Sequence, residues 1–386
     1  MIFILCYCQI HSQVVPKLTT ITTDDGLGFR IVNHVTQDKK GLMWISTEKG
    51  LERYDGYEFI TFNDSKNADV KCPINQSNKV IPSFMDDNTL LVWSNEKLFT
   101  IDMCDNTISE FKIESKYDGT IRDIYYSQDK VLYICVVRGD NQMFLRYGNN
   151  NFQKLSEVKT KVYHMNQISE DKIGNIWMSN VDQTLGKYIK NGDLIFQTRL
   201  DSFLWFGSKL YFNKFFIDTF DNKLYLFPKS KHEIRLYNEE NMTYDTIISN
   251  LQSPVYNAVK DDQGNIWFAT KRQLLLYNPN NKQKPFQDYS HIIQEAIQFT
   301  DIKSLFIDRE KVLWISTNNG IIKLPLNKQL FDKVLYQEDA VWSNEMRGIT
   351  ITNSNFNFAF CENGQSGLYK LNPLCGLSCK SMFDII

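Results

Sequence analysis

Apolar and polar residues alternate along this chain in short runs, and polar turns separate the runs. That period of two predicts half-buried β-strands rather than helices. The clearest stretch is Asp38-Lys-Lys-Gly41-Leu-Met-Trp44-Ile-Ser-Thr47-Glu-Lys-Gly50-Leu51-Glu-Arg-Tyr54. It reads as a strand end, a tight turn, a buried strand, a second turn and another strand. The pattern recurs at Asp171-Lys-Ile-Gly174-Asn-Ile-Trp177 and at Asp261-Asp-Gln-Gly264-Asn-Ile-Trp267. It returns without its glycine at Asp308-Arg-Glu-Lys311-Val-Leu-Trp314.

An aromatic series follows the repeat: Trp44, Trp93, Tyr133, Trp177, Tyr225, Trp267, Trp314 and Phe358, spaced 40–49 residues apart. Each copy reads as an antiparallel meander of four short strands, and a unit of about 40–50 residues with that content is a propeller blade. One blade cannot bury both of its apolar faces, whereas a closed ring of blades buries them all. The motif residues have mechanical uses. The aspartate accepts backbone N–H groups in the turn, the glycine supplies a positive φ, and the tryptophan fills the gap between blades.

The expected fold is therefore all-β, a β-propeller of four-stranded antiparallel blades. Seven closed blades are predicted over residues 15–335, with one eight-bladed ring as the alternative. The segment Lys17–Thr23 has no blade before it and is placed to complete the last blade and lock the circle. Residues 336–373 then form the first repeat of a second propeller. The tail, 374–386, leaves the pattern and reads as a chain that is truncated or out of frame.

Composition narrows the function classes. Aromatics make up 13% of the 386 residues, which supports the all-β reading. A net charge of −2 argues against nucleic acid as a partner. Residues 1–13 are a short apolar run read as a signal peptide, with a first strand as the alternative. No stretch reaches the ~18 uninterrupted apolar residues of a membrane helix. Of the eight cysteines, Cys72, Cys104, Cys135 and Cys361 read as small buried hydrophobes, with a Cys72–Cys104 disulfide open. Neither the cysteines nor the five histidines have metal-ligand spacing, so no metal is expected. Nucleotide, dinucleotide and hydrolase motifs are absent, so neither a cofactor nor catalysis is expected.

Function must then lie in loops that differ between blades. The loops leading into the innermost strands supply Arg30, Tyr163, His164, Asn166 and Arg347, and a long gap contains Trp205-Phe206. Aromatics with Arg and Asn suit a carbohydrate platform. The alternative for Trp205 and Phe206 is an outer strand packed on a neighbouring blade.

The stretch from Gly26-Leu27 through Gly41, Trp44, Gly50-Leu51 and Tyr54-Asp55-Gly56 resembles the two-component regulator propeller repeat. Arg347-Gly-Ile and Gly367-Leu-Tyr369 look like the same unit again. The resemblance implies the periplasmic sensor region of a hybrid two-component system in polysaccharide-degrading gut bacteria. It implies an oligosaccharide ligand, signalling through a homodimer, and a kinase that these residues do not include. The alternatives are a propeller glycosidase or lyase and a protein-binding scaffold.

Overall fold

The structure is a computed structural model. It describes residues 18–62, 74, 76–94, 97–159, 167–179, 184–190, 192–199, 213–219, 221–228, 232–241, 243–297 and 300–326, together with backbone strands at 346–351, 357–361, 367–372 and 376–381. The chain divides into two compact units, Met1–Asn327 and Lys328–Ile386.

In the first unit, seven four-stranded antiparallel sheets follow one another as blades. Blades 1–6 cover 32–62, 79–111, 120–159, 167–199, 213–248 and 255–288. Blade 7 takes three strands from 302–325 and its outermost strand from Thr19–Ile21. Thr19, Thr20 and Ile21 pair with Lys323, Ile322 and Ile321, so the start of the chain closes the ring. The innermost strands of blades 7 and 1 also touch. The fold is the seven-bladed propeller that the repeat predicted.

The core is divided among the seven joints between blades. Trp44 fills the joint of blades 1 and 2, Trp177 that of 4 and 5, Trp267 that of 6 and 7, and Trp314 that of 7 and 1. Each tryptophan is clipped to the turn that precedes it. Asp38 accepts Lys40 N (2.8 Å) and Leu42 N (3.0 Å) on one oxygen and Trp44 Nε1 (2.9 Å) on the other. Trp177, Trp267 and Trp314 donate in the same way to Asp171, Asp261 and Asp308 at 3.1, 3.1 and 2.6 Å. The backbone bonds follow from the sequence, but the indole bond needs a side chain six positions downstream to fold back over the turn. Gly41, Gly174 and Gly264 have φ of 92°, 87° and 85°, and Lys311 holds the same turn at 64°.

Three sequence expectations change. In blade 2 the hydrogen-bond frame places Leu91 in the tryptophan slot, because Phe84 N bonds Thr89 O where Asp38 N bonds Leu42 O. Trp93 lies two residues further along, opposite Lys79. Cys104 is not a buried hydrophobe but a free, exposed thiol in a turn, while Cys135 is buried; Cys72 lies outside the described residues. A helix, Ser290–Ala296, lies between blades 6 and 7 and buries Ile292 and Ile293 in their joint.

In the second unit one further four-stranded sheet has Met346–Ile351 first and Gly376–Ser381 last. Part of the tail that left the repeat pattern thus pairs as a fourth strand, Leu377 opposite Leu371. The alternation within Gly376-Leu-Ser-Cys-Lys-Ser381 is short but sufficient for a strand.

Candidate functional site

A cavity of 1360 Å³ runs along the axis of the first unit, and the innermost strands of all seven blades line it. Its wall comes from the first half of each innermost strand, at the end opposite the Asp-to-Trp turns, and in blade 2 it extends outward over Trp93, Lys97, Phe99 and Glu110 of the other three strands. Side chains of a regular strand alternate between two faces, and here both faces are buried in joints. A residue reaches the axis most directly where that alternation breaks.

The break is built into the repeat. In blade 1, Val32 pairs with Thr47 and His34 with Ser46, so Asn33 is an extra, unpaired residue. Blade 3 has the same bulge at Arg122, blade 6 at Tyr256 and blade 7 at Lys303. Asn78 stands at the corresponding place in blade 2, where its N–H shares Trp93 O with the pairing of Lys79. A bulge re-aims the extra side chain and leaves it out of the ladder. Asn33, Asn78, Arg122, Tyr256 and Lys303 all line the cavity, and Lys214 of blade 5 joins them without a bulge.

Neighbouring groups join the blades across the channel edge. Asn33 Nδ2 donates to Ser77 O at 3.0 Å. Lys79 Nζ donates to Ile124 O at 2.6 Å and pairs with Asp123 at 3.1 Å. Asp123 accepts Ile168 N at 2.8 Å, and Gln167 exchanges bonds with Phe215 O (2.7 Å) and Phe215 N (3.1 Å). These side chains satisfy backbone groups that the inner edge of each sheet would otherwise expose.

Other polar groups are not used in this way. His34 Nδ1, Arg122 Nε and Ser304 Oγ are buried without a hydrogen-bond partner. His34 and Lys214 are half-buried on the cavity wall. Burial, helped by the nearby Lys79 ammonium, drives the His34 imidazole down to about 3. Burial also lowers the Lys214 ammonium, with Asp123 opposing and Lys79 adding to the shift. Among the described residues no cluster of ligating side chains could hold a metal ion.

Of the sequence candidates, Arg30 lies at the joint of blades 7 and 1. Its Nη1 donates to Asn319 Oδ1 at 3.2 Å, and its carbonyl accepts Gly320 N at 2.6 Å. The cavity is lined by other residues. Tyr163, His164, Asn166 and Trp205 lie outside the described residues. Arg347 belongs to the second unit, where the backbone register makes it the extra residue between Met346 and Gly348. The lining residues lie within the strands themselves, not in the loops before them, and nothing in their local sequence sets them apart. Asn33, Arg122, Lys214, Tyr256 and Lys303 each stand four residues before the last paired residue of their innermost strand.

A closed seven-bladed ring with a polar axial cavity defines the class, a β-propeller with a channel able to take a ligand. Similar solved structures include the extracellular domain of B. thetaiotaomicron BT4673, named a hybrid two component system. It has a TM-score of 0.64 and 16% identity over 92% of this chain and 46% of that one. The extracellular domain of BT3049 from the same organism, named likewise, matches at a TM-score of 0.62 and 14% identity, over 95% and 54%. A streptogramin B lyase matches at 0.59 and 13%, over 81% and 98%. The chain spans about half the length of the two extracellular domains. At these identities the likeness is one of fold, and the fold is the one the repeat resemblance implied. No protein-family profile and no curated relative matches the sequence.

Proposed function

We propose that this chain is the ligand-binding propeller of a periplasmic sensor, that its ligand is an oligosaccharide, and that the axial channel receives it. The observation that carries the reading is the ring of blade-specific polar side chains at one structural position around one cavity. Repeated backbone with variable side chains at the axis is how a rigid scaffold carries recognition. The cavity exceeds the ~300–1,000 Å³ typical of small-molecule sites, which suits an oligomer better than a single sugar. Trp93 and Tyr256 add aromatic surface for sugar rings, and Asn33 and Asn78 add amide groups for hydroxyls. That two of the similar folds are extracellular domains of systems named for signalling supports the sensing part of the reading.

In this reading the chain binds without turnover. Binding shifts a homodimer between two arrangements by its differential affinity for them, and a kinase outside these residues reads the change. Titration calorimetry of the full chain against a panel of plant and host oligosaccharides, with chromatography of the recovered sugars, tests it. The expected result is saturable heat and unchanged sugar. Cleaved sugar would move the reading to a glycosidase or lyase, and no heat across the panel would overturn it.

A further inference from the structure

The whole chain carries a net charge of −2, yet its channel is cationic. Lys79, Lys97, Arg122, Lys214 and Lys303 line it against the carboxylates of Asp123 and Glu110. Those two carboxylates are already paired, Asp123 with Lys79 at 3.1 Å and Glu110 with Lys97 at 3.2 Å. Among the described residues, Arg122, Lys214 and Lys303 have no ion-pair partner. Structure alone does not require them there. Arg122 is an extra residue of a bulge whose Nε is buried and unbonded, Lys303 is the extra residue of another, and Lys214 lines the cavity half-buried. Arg122 and Lys214 are half-buried, so leaving their charges without partners costs free energy that a ligand supplying the partners recovers, whereas Lys303 is exposed and adds its charge to the cavity wall.

The cations also surround one space. Arg122 comes from blade 3, Lys214 from blade 5 and Lys303 from blade 7, so they approach the axis from three sides of the ring. Ser304 Oγ and His34 Nδ1 lie on the same wall without partners. We infer that the channel selects an acidic oligosaccharide, one bearing carboxylate or sulfate groups, and that Arg122, Lys214 and Lys303 pair with those groups. This rests on the oligosaccharide reading above and specifies its ligand. Guanidinium and ammonium groups both form short, charge-assisted bonds to such anions, and the guanidinium can do so through two N–H groups.

The test is calorimetry of the full chain at neutral pH with four probes: a galacturonic acid oligomer, a sulfated uronic acid disaccharide, a neutral galactose oligomer of matched length, and inorganic sulfate. The expected result is binding of at least one acidic sugar and little of the neutral one, and which acidic probe wins separates carboxylate from sulfate recognition. Arg122→Gln and Lys303→Gln should each weaken that binding about tenfold or more. Lys282→Gln, at an exposed position outside the cavity, should leave it unchanged. Affinity should fall as salt is raised, because the attraction is screened. Thermal melts of the same variants check that they fold, and two independent cations keep the test intact if one variant does not.

Equal affinity for the neutral oligomer would overturn the charge selection and leave the oligosaccharide reading standing. Sulfate binding as tightly as the sugars would keep the anion site and overturn the oligosaccharide reading. Heat from none of the four probes would overturn the acidic-ligand inference, and the wider oligosaccharide panel then decides the reading it rests on.

Discussion

Replacing Asp171 by alanine should cost the fold about 3–5 kcal/mol, and clearly more than the same change at Asp308. The Asp171 carboxylate accepts Ile173 N at 3.1 Å, Asn175 N at 2.8 Å, Asn175 Nδ2 at 2.9 Å and Trp177 Nε1 at 3.1 Å. Ile173 is 66% exposed, so water can replace the first bond. The other donors sit on buried residues, and each orphaned donor costs about 1–3 kcal/mol. The change also removes a negative charge 4.0 Å from the buried Lys187 ammonium, which retains Glu239 at 2.7 Å. At Asp308 the donors are fewer, Val312 N at 2.8 Å and Trp314 Nε1 at 2.6 Å. Valine offers no side-chain donor, so about 2–3 kcal/mol is expected there. Equilibrium unfolding of the full chain in urea, followed by tryptophan fluorescence and near-ultraviolet circular dichroism, reads both values. A double-mutant cycle of Asp171→Ala with Trp177→Phe should show coupling of about 1 kcal/mol. Costs below about 1 kcal/mol, or an Asp308 variant as costly as the Asp171 variant, would refute the view that this clip holds the blades.

Gly320→Ala should loosen the ring closure. Gly320 has a φ of 105° and its missing Cβ would sit 2.3 Å from Ile21 O on the closing strand, so about 2–5 kcal/mol is expected, with faster proteolysis near residue 21; an unchanged melting temperature would sink this. Lys311→Gly should stabilise by about 0.5–1 kcal/mol, because relief of left-handed strain exceeds the loss of an exposed ion pair with Asp262 and the extra chain entropy. A loss of more than about 1 kcal/mol there would contradict the strain argument. His34 stays neutral in the fold down to about 3, while an unfolded imidazole gains its proton near 6.5. Stability is therefore unaffected above that unfolded value and declines below it, by about 2 kcal/mol at pH 5, until His34 itself protonates. In urea titrations across pH, His34→Gln should remove that part of the acid sensitivity, and an identical acid profile would argue against it.

Much of the fold was legible because the repeat makes it redundant. Asp38, Asp171, Asp261 and Asp308 precede their tryptophans by the same six positions, and any one reading of the turn applies to four. Where the repeat is degenerate the pattern no longer locates the slot, as with Trp93, whose place depends on which residues close the turn at Phe84 and Thr89. The site was less legible. Arg30 is adjacent to the innermost strand of blade 1 in sequence, but its side chain goes to Asn319. Arg122 and Lys303 look like ordinary strand residues, and only the cross-strand register reveals that each is unpaired.

The sequence by itself determined the blade. Alternation fixed which residues face a joint, turn chemistry fixed the hairpins, and the count of copies pointed to a closed ring with Thr19–Ile21 left over to close it. These are local properties, set by residues within one turn or hairpin of each other. Tertiary structure decided what the ring encloses. The channel brings together short stretches from all seven blades, up to 271 positions apart between Asn33 and Ser304. Its charge excess depends on which cations find carboxylates across a joint and which do not. No local pattern carries that information, because the pairing exists only after the ring has closed.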